Sequence, residues 1–599
     1  MHVVFFGNPM PDSDSPDWVA SPYGFALPQG SPPTLLDQIV VVAQESDLGL
    51  QSLTEEQIRA LLAPIPLAPA LAWTSRHLLR LWDADDEVAD QIELAQRLFD
   101  PDAPIIERCR AFLAEGEEEE RRVLFSEQQF HVLLRLCFES CADAEEDTTW
   151  DQERETAMRR ALLGVTSITG EGAARLGEDS RSLEDWLGYF TQNGAYNSKE
   201  QPLLAYQRVL RVFVELAGSE AAREHPAFLD FDALSRDALG ASVLELLSVA
   251  FAAFAGASRD EDPGHPGNFG VVRNFVEYLR PTAIGDRATI FAEALSAPRH
   301  FYIGGFERSR DDPVRLAWDI TPIQQKPFFQ LPENGPMLLL SPRGISSWLT
   351  DGVYYRLLDA AADQNHRNDF TTFVGWLYER YLLEIFELAL PGRPAGEGRV
   401  HEEIKYGGEL TSDISIDYGS DLVLFEVVST RLPLGVRAEA DEAELERFLN
   451  RAVLDKLHQL DRVITDLGTG KVGIPDVEIG AVKRIWPVLV NVGEMTEGEV
   501  LYEFIKRKAP DVLAQPGCQA LTLLGVDDAE VLAGVAASGE DIPDVLAAKA
   551  ADGYQAMGLA RWVLDKRTEI PPRLTALEQR WQQLTEEMIA ILRLPPRLD

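Results

Sequence analysis

The run Leu422-Val423-Leu424-Phe425-Glu426-Val427-Val428 sets a single glutamate among residues that are otherwise apolar and rich in β-branched and aromatic side chains. That composition predicts a strand buried on both faces. A carboxylate inside such a strand must be met by a proton, a cation or a dense set of hydrogen-bond donors. Just upstream, Ile414, Ile416 and Tyr418 alternate with Asp413, Ser415 and Asp417, and Gly419-Ser420 separates the two runs. The pattern predicts a hairpin closed by a two-residue loop. Tyr418 then lies opposite Asp421, and counting outward sets Asp413 opposite Glu426 on one face of the sheet. Two acids facing each other there cost stability unless a cation or a proton settles them.

An acid at the start of one strand, followed across a hairpin by a second acid in a hydrophobic strand, resembles the catalytic hairpin of the PD-(D/E)xK nuclease superfamily, the restriction-endonuclease-like fold. The flanks extend the resemblance from Asn368 to Val492. Phe373 to Leu382 is similar to the family's first helix, with Glu379 at the position of its metal-facing glutamate. Asp441 to Leu467 reads as one long amphipathic helix containing Lys456 and the pair Gln459-Leu460, similar to the helix that follows the hairpin, and Ile485 to Val492 occupies the place of the next core strand. The resemblance implies an α/β C-terminal domain, a mixed sheet flanked by helices, that hydrolyses nucleic-acid phosphodiesters. It also implies Mg2+, with Mn2+ as an alternative, held by Asp413, Glu426 and Glu379.

The sequence departs from the family at one point. The lysine that should follow Glu426 by two residues is Val428, and a valine can neither position the attacking water nor offset charge on the phosphate. Two basic residues are available in its stead: Lys405, on a strand expected over Val400 to Tyr406, and Arg431, just past the strand end. The expected catalytic set is therefore Asp413, Glu426, Lys405 and Arg431. The same departure leaves a rival from another class, an inactive nuclease-fold scaffold that assembles with a protein partner through an acidic helical region. By its architecture, a long helical region joined to such a domain, the chain resembles components of bacterial defence or mobile-element systems.

With 98 acidic against 55 basic residues, the 599-residue chain has a formal charge of −43. Such a surface repels nucleic acid, so contact with DNA or RNA is expected only through a local basic patch or a partner, and a protein partner or homo-oligomer is expected. The strongest basic cluster in the second half is Phe504-Ile505-Lys506-Arg507-Lys508, which reads as a solvated helix face or, alternatively, a phosphate contact. Cys109, Cys137, Cys141 and Cys518 show neither a CxxC pair nor zinc-ligand spacing with histidine, and Cys137 and Cys141 are expected in the core. Sparse cysteines fit a reducing cytoplasm. The start Met1-His2-Val3-Val4-Phe5-Phe6 lacks a basic region and a long apolar core, so neither a signal peptide nor a membrane span is expected.

The expected organisation is a mainly helical region over 1–255, a mixed connector over 256–365 and the nuclease-like domain with a helical tail over 366–599. Helical periods run over Glu55 to Leu62, Leu78 to Phe99, Ile105 to Ala114, Glu127 to Cys141, Arg154 to Leu163, around Leu183 to Trp186, Pro202 to Leu216 and Leu234 to Phe254. Ile39 to Val42 reads as helix or strand, and His300 to Ile303 and Met337 to Leu340 read as strands. Ala520 to Gly525 reads as a strand before two helices, and Leu574 to Leu592 as a helix with Trp581 and Leu584 on its apolar side. The segment Gly468 to Gly473 lacks the glycine spacing and the hydroxyl of a phosphate loop and reads as a turn.

Overall fold

A computed structural model describes residues 3–5, 18–20, 26–28, 39–83, 88–99, 103–114, 121–143, 150–179, 202–257, 272–307, 319–331, 336–406, 409–433, 436, 442–493, 499–551, 558–566 and 574–592. Helices dominate, and the C-terminal half carries a mixed five-stranded sheet. Its strands, in spatial order, are β1 (Arg399–Glu402), β2 (Ile414–Asp417), β3 (Asp421–Val428), β4 (Arg484–Asn491) and β5 (Thr522–Gly525). The first three pair antiparallel, and β4 and β5 then add in parallel, which requires helical crossovers.

The hairpin has the register expected from its sequence. Ile414 faces Phe425 and Asp417 faces Leu422. The Tyr418 N–H donates to the Asp421 carbonyl at 2.8 Å. Gly419 turns with φ +75°, and its N–H donates to Asp417 Oδ1 at 2.8 Å, so the turn is built from a glycine and an aspartate bonding its own loop. Every residue of β3 is buried.

Helices α1 (Pro202–Leu210), α2 (Gly352–Asp363), α3 (Arg367–Ala389), α4 (Glu442–Leu449), α5 (Asp455–Gly468), α6 (Glu499–Lys508), α7 (Val526–Ala537) and α8 (Thr575–Leu592) surround this sheet or tie it to the first half. Successive β3 residues face opposite sides. Leu422 and Leu424 pack with Leu460, Val463, Ile464 and Leu467 of α5. On the other side, Phe425 meets Phe386 of α3 with ring centroids 4.8 Å apart. Helix α3 is buried on several faces. Phe373 packs against Phe228 and Phe231, Tyr378 against Phe213, and Glu384 forms an ion pair with Arg211 at 2.6 Å. Arg208 of α1 pairs with Asp527 of α7 at 2.6 Å, and Tyr206 meets Trp581 of α8 edge-on.

Several elements differ from the sequence expectation. His300 to Ile303 is helical, within Arg299–Phe306, because Tyr302 and Phe306 at i and i+4 share a buried face and the Tyr302 hydroxyl donates to the carbonyls of Lys326 and Phe328. Leu78 to Phe99 is two helices, Leu67–Asp83 and Val88–Leu98. Leu234 to Phe254 is likewise Phe231–Leu239 and Val243–Ala257, broken where Gly240 takes φ +73° and returns its N–H to the Arg236 carbonyl. Asp441 to Leu467 is interrupted by the π-helical segment Asn450–Leu454 between α4 and α5. Val400 to Tyr406 is not one strand: Lys405–Tyr406 leaves the main sheet and pairs with Glu409–Leu410. Ile39–Val42 is a strand, Met337–Leu339 is a strand, and the terminal strand, its two helices and α8 lie where expected. Cys137 and Cys141 are buried and unbridged. Leu183 to Trp186 lies outside the described residues. Among those residues, no single helix is long and apolar enough to cross a membrane.

Two buried histidines in the first half make stability sensitive to acid. Burial holds the His77 and His131 imidazoles down to about 3, against 6.5 in the unfolded chain. As pH falls from about 6.5 to about 3 the unfolded chain takes up protons that the fold refuses, so stability is lost on acidification through that window. The urea midpoint is expected to fall between about pH 7 and about pH 4, and the double variant His77→Gln, His131→Gln to show a shallower decline across the same range.

Candidate functional site: a carboxylate cluster around Lys456

Glu426 points from β3 toward α5, and both of its oxygens are taken by that helix. Lys456 Nζ donates to Oε2 and Gln459 Nε2 to Oε1, each at 2.8 Å. Asp413 stands one residue before β2, where extending the register sets it opposite Glu426. Its Oδ2 accepts the Val427 N–H at 2.6 Å and lies 3.7 Å from Lys456 Nζ. One ammonium thus joins the two acids that the hairpin brings together.

Two further carboxyls face this centre. Glu379, on α3, is pushed up to about 8 by burial and then by the Asp413 charge. Glu403, in the break between β1 and Lys405–Tyr406, is pushed up to about 7 by the same causes in the same order. Burial, and then Asp413, also raises Glu426 well above the usual carboxylate range. Asp413 is raised by burial, against the pull of Lys456 and the Val427 N–H. Lys456 responds in the opposite sense: burial would lower it, but Asp413 and Glu426 hold the ammonium firmly charged. Four acidic side chains share one half-buried cation, Lys456, and the cluster remains short of positive charge.

The remaining expected site residues lie differently. Arg431 is buried against α2 and α3. It pairs with Asp351 at 2.9 Å, donates to the Val492 carbonyl at 2.7 Å and to the Tyr378 hydroxyl at 3.1 Å, and lies over the rings of Tyr354 and Tyr378. Lys405 is exposed on its two-stranded ladder and acts on the cluster through the field it exerts on Glu403. The structure therefore gathers Asp413, Glu426 and Glu379, adds Lys456, Gln459 and Glu403, and leaves Arg431 in a separate buried network. The sequence singled out Lys456 and Gln459 within the amphipathic helix after the hairpin but gave neither a role in the site. Their i, i+3 spacing puts both on one helix face, but the π-helical segment before α5 shifts the phase by which that face could be assigned. Glu403 carried no signal, because an unbroken strand would have continued past it.

The donor set is all oxygen, from carboxyl groups, which suits a hard divalent cation such as Mg2+ or Mn2+. Among the described residues no three His, Cys, Asp or Glu side chains stand ready in a coordination arrangement, which fits Glu426 being paired with Lys456 and Gln459. A cation would relieve the charge deficit once carboxylate oxygens turn toward it. No family model matches the chain, and no curated protein or solved structure matches it.

The contacts of Arg431 predict a structural effect of its loss. Arg431→Met removes the partner of a largely buried Asp351, and the expected destabilisation is about 2–4 kcal/mol. A thermal melt in chelator, with circular dichroism at the helix band, should show the midpoint lowered by several degrees. Lys405→Met should leave it close to wild type.

Proposed function

We propose that the chain is a divalent-cation-dependent phosphodiesterase of the restriction-endonuclease-like type, acting on nucleic acid, and that Lys456 takes the part left open by Val428. The observation that carries this reading is the convergence of Lys456 Nζ on Glu426 and Asp413, at 2.8 and 3.7 Å. Positions 426 and 428 share a strand face, so a lysine reaching in from α5 arrives on the side from which one at position 428 would have pointed. The order helix, hairpin, helix, parallel strand around these residues supports it further.

Asp413, Glu426, Glu379 and Glu403 would hold the ion. When bound it supplies a water of lowered pKa and offsets charge on the scissile phosphate. Lys456 brings a charged donor to that phosphate and to the attacking water. Gln459 fixes Glu426 so that its carboxylate keeps a single orientation, and Asp413 is fixed by the Val427 N–H. The buried walls of β3 and α5 keep bulk water from screening these charges. The scaffold reading has its own supporting observation, since Lys456 already neutralises part of the opposed pair.

Cleavage of single- and double-stranded DNA and of RNA, with Mg2+ or Mn2+, separates the two. Asp413→Ala and Glu426→Ala are expected to abolish ion-dependent cleavage, and Lys456→Ala to slow it by about 100-fold or more, while Lys405→Ala stays within about threefold of wild type. If the wild type cuts none of these substrates with either ion, the scaffold reading stands. Loss on Lys405→Ala but not on Lys456→Ala would return the basic role to Lys405.

A further inference from the structure

In a divalent-cation centre, the reading on which this inference rests, the charges of the cluster set up a competition. Glu426 has no spare oxygen: Oε1 accepts from Gln459 and Oε2 from Lys456. Asp413 Oδ2 is bound to the Val427 N–H, a ladder position that cannot move without disturbing β3. An ion that coordinates Glu426 therefore shares its two oxygens with donors already in place. Gln459 is neutral and can remain beside a metal-bound carboxylate. Lys456 is a cation, and two cations on one buried carboxylate repel strongly at low dielectric.

Lys456 also has the means to move. Its side chain is 27% exposed while those of Glu426 and Asp413 are 0% and 4% exposed. The ammonium thus reaches in from the open side of the cluster on a long unbranched stem. It stands two residues beyond the π-helical segment Asn450–Leu454, where the backbone hydrogen-bond pattern already departs from the regular helix. A lysine at strand position 428 would have had neither freedom.

We propose that Lys456 is a built-in competitor for the divalent ion: its ammonium holds the Asp413–Glu426 pair until the ion arrives, and ion binding ejects it toward the substrate phosphate. The lysine is thereby delivered to the position where it acts only when the ion is bound. A lysine that served the phosphate alone would not affect ion binding in the absence of substrate. A competing lysine weakens that binding.

The test is Mn2+ binding to the full chain by titration calorimetry without nucleic acid, on wild type, Lys456→Met and Lys405→Met. Lys456→Met keeps the stem and removes the charge, and is expected to bind Mn2+ about tenfold or more tightly than wild type. Lys405→Met removes a charge near Glu403 that holds neither Asp413 nor Glu426, and is expected to change affinity by less than about threefold. Should Lys456→Met fail to fold, as judged by its melt, Lys456→Gln keeps a donor for Glu426 and is expected to shift affinity in the same direction. Unchanged or weaker binding by the folded Lys456 variant overturns the competition while leaving the ion site standing. Equal tightening in both lysine variants reduces the effect to bulk charge and overturns it as well. Absence of Mn2+ binding in every variant overturns the competition together with the ion-centre reading.

Discussion

A carboxylate at position 426 in a strand with no exposed residue is the constraint on which the rest of the domain turns. Burying an unpaired carboxylate costs several kcal/mol even after relaxation, so β3 can be buried only if another element brings the compensating charge. Helix α5 does so with Lys456, and Gln459 one turn later binds the other oxygen. That requirement fixes the rotation of α5 about its axis. With Lys456 and Gln459 turned to Glu426, Leu460, Val463, Ile464 and Leu467 fall onto Leu422 and Leu424 and complete the smaller of the two cores. Polar and apolar contacts specify the same docking.

On the opposite face, α3 joins the sheet to the helices that precede it. It turns Phe386 to β3, Tyr381 to Glu530 of α7, Glu384 to Arg211, and Phe373 to a cluster of aromatic rings from the first half. A helix buried on several faces needs apolar or paired residues around its circumference, which α3 has. Glu379 is carried on this same helix, so its distance from Asp413 is set by packing that reaches well beyond the sheet. Arg431 belongs to that support. Its pairing with Asp351 and its stacking on Tyr354 and Tyr378 clamp the chain leaving β3 against α2 and α3.

The parts of this arrangement legible in the sequence were those fixed by short-range rules. Strand alternation and a glycine turn determine the hairpin register, and with it the opposition of Asp413 and Glu426. What escaped were groups whose placement depends on distant packing. Lys456 lies 30 residues from Glu426, and nothing in an amphipathic period says which of its boundary residues turns inward. Arg431 looked available because a basic residue past a strand end is normally solvated; its acidic partner, Asp351, arrives from the N-cap of α2, far upstream. His300 to Ile303 read as a strand because a short run of aromatic and β-branched residues has no period long enough to distinguish the two, and the i, i+4 burial of Tyr302 and Phe306 decided for helix.

A lysine on α5 differs in its surroundings from one at strand position 428. At position 428 the side chain is buried, 2% exposed, and a charge there would be held by the sheet in one place. On α5 the same charge reaches the acids from the open side through a flexible stem, just past a break in helical regularity. Under the proposed function, one ammonium on a flexible stem would meet two needs: compensating Glu426 while the strand is being buried, and later meeting a phosphate. In a chain of net charge −43 the first need is the more pressing. Without an internal cation Glu379, Asp413 and Glu426 would repel one another as the sheet closes, or would have to take up protons to be buried.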